Sequence, residues 1–165
     1  MNKLIITTPQ EKFITSYWTT LNKIIDEGIY LGTTFRFPYD STVELIKSNI
    51  KDKIPFLFLI NSENDKVVGW CEASPKDLTT CTLGIGILKE FRNKGYGRKL
   101  IEEIISICKR QGYEYLELQV KYNNKTAIHL YESIGFVMRD IIIDELEDDN
   151  YKEDLIEMFL DLDII

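Results

Sequence analysis

The eighteen residues from Leu83 to Leu100 constrain this chain more than any other stretch. They read Leu83-Gly84-Ile85-Gly86-Ile87-Leu88-Lys89-Glu90-Phe91-Arg92-Asn93-Lys94-Gly95-Tyr96-Gly97-Arg98-Lys99-Leu100: a strand, a short loop, then a helix start. Glycines at the loop–helix join let backbone N–H groups approach a ligand closely. The first N–H groups of a helix have no partner within it, and the helix dipole favours an anion there. Lys89, Arg92, Lys94, Arg98 and Lys99 fall within eleven residues of a chain whose net charge is −7. A basic run is ordinarily a solvated face. Here it coincides with the glycines and the helix start, which makes it a candidate cradle for a phosphate or pyrophosphate.

The anion can be narrowed. A GxxxxGK[ST] loop is absent, which excludes a P-loop nucleotidase. A dinucleotide fingerprint is the nearer rival: Gly95-Tyr96-Gly97 opens a helix after a strand, and Glu117 lies about twenty residues on. However, Leu100 stands where the third glycine belongs, and the basic loop is longer than a tight strand–helix turn.

The surrounding pattern predicts strands at 3–7, Pro55–Ile60, Lys66–Ala73, Thr79–Leu88, Tyr115–Val120, Phe136–Ile143 and Leu155–Leu162. Helices are predicted to open at two capping boxes, Thr8-Pro9-Gln10-Glu11 and Ser41-Thr42-Val43-Glu44. Gly28 is expected to stop the first, whose apolar face holds Phe13, Tyr17, Leu21 and Ile24. Two more helices are expected over Gly95–Arg110 and Asn124–Ile134, with Gly135 ending the latter. An acidic stretch, Glu145–Asp149, separates the last two strands. The class is α+β, or mixed α/β: one mostly antiparallel sheet with helices interspersed. No repeat, linker or composition break divides residues 1–165, so one domain is expected.

Within Asn124–Ile134, Ala127, Leu130, Tyr131 and Ile134 form one stripe, and Asn124 lies on nearly the same face as Tyr131. His129, the one histidine, points the opposite way and reads as a surface residue rather than a base. On spacing alone, Tyr131 is a core tyrosine with a satisfied hydroxyl.

Two segments change that reading. Arg92-Asn93-Lys94-Gly95-Tyr96-Gly97 matches the R/Q-x-x-G-x-G/A signature of the GNAT superfamily of N-acetyltransferases. Val120 through Phe136, with Asn124, Ala127-Ile128, Leu130-Tyr131 and Gly135-Phe136, resembles that family's second block. The blocks occur in the family's order, about 25 residues apart, and the resemblance covers roughly residues 66–137. It implies a splayed sheet and acetyl-coenzyme A as the cofactor. The strand at Ile85, Gly86 and Ile87 would diverge from its neighbour at a bulge and hydrogen-bond the pantetheine arm. The loop Arg92, Asn93, Lys94, Gly95, Tyr96, Gly97 and Arg98 would hold the pyrophosphate. Asn124 would contact the cofactor, and Tyr131 would donate to the departing thiolate. Lys89 departs from the family's frequent proline. A non-catalytic acyl-CoA-binding module is the alternative that the two blocks leave open; the retained Tyr131 favours the enzyme.

Direct attack requires a neutral amine, and an alkyl amine with a pKa of ~10.4 is about 0.1% neutral at pH 7. Removing that proton costs roughly 4–5 kcal/mol, so a base is expected. Glu72, on the strand before the cofactor strand, is the first candidate, with an ordinary exposed strand position as its alternative. The acceptor is expected to be a small molecule with a primary amine, met by Glu27 and Tyr30 in the segment 26–37. Phe35 and Phe37 are either part of that site or core, and Arg36 favours an acceptor bearing a carboxylate. The acidic balance excludes a general nucleic-acid binder. No apolar run suffices to span a bilayer, the N-terminus has too short an apolar stretch for a secretory signal, and Cys71, Cys81 and Cys108 are an odd set without CxxC spacing. A cytoplasmic protein without a metal site or membrane partner is therefore expected, with oligomeric state, a homodimer included, left open.

Overall fold

The computed structural model describes residues 3–28, 35–143 and 154–165. Seven strands, β1 (Leu4–Thr7), β2 (Phe56–Asn61), β3 (Lys66–Pro75), β4 (Thr80–Ile87), β5 (Tyr115–Lys121), β6 (Val137–Ile142) and β7 (Leu155–Asp161), form one sheet in the order β1-β2-β3-β4-β5-β7-β6. Every adjacent pair is antiparallel except β4 and β5. Helices α1 (Ile14–Asp26), α2 (Tyr39–Lys51), α3 (Tyr96–Arg110) and α4 (Lys125–Ile134) complete the described elements, with short 3₁₀ turns at Glu11–Phe13 and Lys89–Phe91. This is the mixed α/β, mostly antiparallel architecture expected from the strand and helix periodicities.

The strands sort their side chains by period two. On one face Phe56, Phe58 and Trp70 meet Tyr17 of α1, with ring centroids 5.1 Å (Phe58) and 5.5 Å (Trp70) apart. On the other, Cys71, Cys81, Leu116, Leu118 and Met158 pack under Leu100, Ile101, Ile104 and Cys108 of α3. Both cores are buried from water, and each fully buried aliphatic side chain contributes roughly 1.5–3 kcal/mol.

The helix starts differ from expectation. Neither capping box caps a helix. Thr8 and Pro9 precede the 3₁₀ turn, and α1 begins only at Ile14. α2 begins at Tyr39 after Pro38, so Thr42 lies inside it and returns its hydroxyl to the Pro38 carbonyl at 2.9 Å. Proline supplies the extended residue that precedes a helix, and it outcompetes the downstream serine-threonine pair. Gly28 does stop α1, with φ +66° and its N–H donated to the Ile25 carbonyl at 2.9 Å. The stretch Glu145–Asp149 lies outside the described residues.

The sheet opens at its parallel step. β4 and β5 pair only through Thr80, Cys81 and Thr82 against Tyr115, Leu116 and Glu117. Beyond Thr82 they diverge, while β3 follows β4 from Pro75↔Cys81 to Gly69↔Ile87 without a register shift. The splay therefore needs no bulge against β3, contrary to the expectation for Ile85–Ile87.

Candidate functional site

The β4–β5 gap opens into a cavity of about 900 Å³, reached by Ile85, Gly86 and Ile87 on one side and Val120, Asn124 and Tyr131 on another. Glycines in β4 have an unexpected job here. A Cβ on Gly86 would sit 2.4 Å from Trp70 Cη2, and one on Gly84 would sit 3.2 Å from Glu72 Oε1. These positions are small so that the neighbouring strand's side chains can cross β4.

The mouth of the cavity is the start of α3. Gly95 is its N-cap in the left-handed region, φ +83°, and no side chain caps the helix. Asn93, two residues earlier, also has positive φ, +58°. The first intrahelical bond into this end is Lys99 N–H to the Gly95 carbonyl, 3.3 Å. The amides of Tyr96, Gly97 and Arg98 are thus left without helical partners and are available to an anion. Gly97 has a packing reason as well: its Cβ would stand 3.3 Å from Leu130 Cδ2, so it also lets α3 approach α4.

The basic residues of the loop are not equivalent. Arg98 lines the cavity and donates to Ser133 Oγ and, at 3.4 Å, to Glu102. Lys94 donates to the Glu90 carbonyl at 2.7 Å. Arg92 grips Glu27 through two bonds of 2.8 Å, and its Nε donates to the Ile87 carbonyl at 2.7 Å. Planar guanidinium–carboxylate pairing of this kind fixes geometry as well as charge. It ties the end of α1 to the end of β4. Glu27, expected at the acceptor site, thus gives both oxygens to Arg92, and Tyr30 lies outside the described residues. Arg36 pairs with Asp26, Phe35 is exposed, and Phe37 is bound through its backbone to Trp18 and Asn22, so neither phenylalanine is a core residue.

Asn124 caps α4: its Oδ1 accepts the Ala127 N–H at 3.2 Å, so one residue both starts the helix and faces the cavity. His129 is exposed at the rim. Tyr131 is 8% exposed and packs edge-on to Phe136 at 5.8 Å. Among the described residues no protein group hydrogen-bonds its hydroxyl, and no sealed polar side-chain atom lacks a partner, so the hydroxyl opens on the cavity. The satisfied-core reading from spacing is thereby corrected. Burial, and then the neighbouring Cys71, pushes the phenol well above its usual value.

Glu72 approaches the gap from the opposite face of the sheet. It sits opposite Gly84 in the β3–β4 register, half-buried, and loss of solvent raises its carboxyl to about 7. Its neighbour Cys71 points to the Tyr131 side, because adjacent strand residues alternate faces. The Tyr131 phenol lines the cavity from one face, while on the other face the Glu72 carboxyl lies over Gly84, a residue of the cavity wall.

A family model described as the acetyltransferase (GNAT) family matches residues 27–136, more than half of the 165-residue chain. The chain belongs to the GNAT acetyltransferase family. It is 38% identical over 52 residues to the [ribosomal protein bS18]-alanine N-acetyltransferase of Escherichia coli (strain K12), covering 32% of this chain and 35% of that protein. It therefore spans about a third of the curated relatives it matches. The fold is similar to an N-acetyltransferase from Staphylococcus aureus Mu50, with TM-score 0.86, 19% identity and coverage of 97% of this chain and 99% of that one. It is also similar to a GNAT superfamily phosphinothricin acetyltransferase from Sinorhizobium meliloti in complex with acetyl-CoA, with TM-score 0.85, 15% identity and coverage of 98% and 89%.

Proposed function

We propose that this protein transfers an acetyl group from acetyl-coenzyme A to a primary amine of a small molecule, by direct attack, with residues 1–165 acting as one cytoplasmic N-acetyltransferase domain. The observation that carries the reading is the β4–β5 opening, which has uncapped α3 amides at its mouth and the Tyr131 hydroxyl on its wall. Those features fit the proposed cosubstrate. The free amides and Arg98 suit a pyrophosphate, and the backbone of residues 83–86, beyond the last β4–β5 pair, suits an amide-bearing arm. Asn124, beside them, holds the start of α4 in place. Lys94 and Arg92 brace the loop through Glu90, Ile87 and Glu27.

When bound, acetyl-CoA supplies an activated acyl carbon and a thiol leaving group. Glu72 accepts the proton of the attacking amine as the N–C bond forms. A carboxyl held near 7 is the better matched base at neutral pH. Tyr131 hydrogen-bonds the sulfur as the C–S bond breaks; its raised value makes it a donor that keeps its proton until that charge appears. A binding module without chemistry has no use for an open, buried hydroxyl. Glu27, paired with Arg92, and Tyr30, close to it in sequence, serve the acceptor side.

A peptide N-terminus is the second reading, since the Escherichia coli relative's name specifies a ribosomal-protein alanine. Thiol release assayed with amines, polyamines, amino acids, aminoglycosides and peptides separates the two. Calorimetry with acetyl-CoA tests the common premise. Saturable binding and a rise in Tm with ligand concentration are expected; no binding at millimolar acetyl-CoA sinks the reading.

A further inference from the structure

A second cavity of about 440 Å³ lies along β5 and β7, and Leu83 and Gln119 line both it and the larger one. The two cavities therefore meet at the β4–β5 split. The walls of the smaller one follow from strand alternation. Leu116, Leu118 and Val120 of β5 turn toward the α3 core, so Glu117, Gln119 and Lys121 turn the other way, with Lys121 Nζ donating to the Gly28 carbonyl at 3.2 Å. Glu157 of β7 stands opposite Gln119, and Thr82 of β4 stands opposite Glu117. Glu72, over Gly84, shares this face.

Glu117 is the most enclosed acid of the group, with 10% of its side chain exposed. It accepts hydrogen bonds from Thr82 Oγ1 at 3.3 Å and from Lys76 Nζ at 2.6 Å. Lys76 itself is half exposed, on a flexible stem at the end of β3. Its ammonium is raised above the usual value chiefly by the bond to Glu117, against partial loss of solvent, with the charges of Glu117 and Glu157 adding to the rise and Arg139 opposing it. The enclosed carboxylate is thus paired with a cation whose own side chain is half exposed to solvent.

We propose that this cavity binds a second, non-reacting ammonium of the acceptor on Glu117 and Glu157, with Lys76 holding that position until the ligand arrives. The acceptor class is accordingly a diamine or polyamine. Glu72 on β3 and Glu117 on β5 stand two strand spacings apart and two residues apart along β4, roughly 11–12 Å between their backbones. An extended dication of that span places one nitrogen at each acid. The inference rests on the proposed activity only for the role of Glu72.

The test compares a homologous series of α,ω-diamines with monoamines of equal chain length, by calorimetry with and without acetyl-CoA and by thiol release. The best diamine is expected to bind about tenfold or more tightly than its monoamine, the scale of one charged hydrogen bond. Glu117→Gln should abolish that preference, and Lys76→Met should enlarge it by removing the resident cation, with acetyl-CoA affinity unchanged in both. Glu157→Gln serves as the second acidic variant if Glu117→Gln loses its melting transition. Equal affinity for diamine and monoamine in the unaltered protein, or a preference that survives both acidic variants, overturns the proposal. Diamine discrimination without acetyl-CoA binding would sink the proposed activity and leave the pocket standing; acetyl-CoA binding without discrimination would do the reverse.

Discussion

Strand β4 has two neighbours and treats them differently. Against β3 it is paired along seven consecutive residue pairs; against β5 it is paired along three. The first contact is filled by side chains: Trp70 lies on Gly86 and Glu72 on Gly84, with no space left over. The second is left open and polar, and the helix that follows begins without a cap. Backbone groups that a sheet normally satisfies internally find no partner strand beyond Thr82 on this side. The regular side holds the strand rigid so that the irregular side can present it.

The sharpest way to break this comparison is at the open side. Tyr131→Phe should lower kcat by about 10²- to 10⁴-fold, because the hydroxyl is needed as the thiolate departs rather than in the ground state. Steady-state kinetics on an identified acceptor, alongside acetyl-CoA titration, reads this directly. A kcat within about twofold of the unaltered enzyme would make Tyr131 a packing residue.

Glu72→Gln acts where the two sides meet. The folded protein holds the Glu72 proton more tightly than the unfolded chain does, at about 7 against 4.5. Its stability contribution is full below pH ~4.5 and is lost as pH rises through about 7. The variant should therefore be more stable than the parent at pH 8, by roughly 3 kcal/mol at most, and nearly equal at pH 4. Thermal melts across that range check the sign. The rise in kcat/KM with pH through about 7, expected of a base with this value, should disappear in the same variant. If melts and profiles superimpose, Glu72 is neither desolvated nor the base.

On the closed side, Gly86→Ala puts a methyl 2.4 Å from the Trp70 ring and should cost about 1–3 kcal/mol, read as a lowered Tm. Gly97→Ala should cost less, under about 1 kcal/mol, since it meets only the mobile end of Leu130 at 3.3 Å. A reversed order would mean that the β3–β4 contact yields more readily than the α3–α4 contact, and the rigid-side argument would fail.

Much of this arrangement is legible without coordinates. The strand–glycine–basic loop–helix run of 83–100 marks a candidate anion cradle, because helix ends and glycines impose their chemistry locally. The alternation through Tyr115–Lys121 marks a strand with one apolar and one polar face, and the second block places Asn124 and Tyr131 on one side of a helix. Local periodicity, however, cannot say which helix signal wins. Pro38 outcompeted the Ser41 capping box because the entry of the chain into α2, not the box, set the first turn.

The sequence by itself determined the class of fold and the run of glycines, basic residues and helix start over 83–100, and it singled out Glu72 and Tyr131 as candidates. Each depends on nearest neighbours along the chain: period two, period 3.6, and the unmet amides of a helix start. Only the tertiary structure decided what those residues meet. Arg92 lines the cavity but also pairs with Glu27, 65 residues away, at 2.8 Å, and Gly86 makes room for Trp70 of the neighbouring strand. Lys76 and Glu117, 41 residues apart, become a pair only when β3, β4 and β5 lie side by side. Such pairings belong to sheet order and to the point where one ladder stops, and no local pattern encodes either.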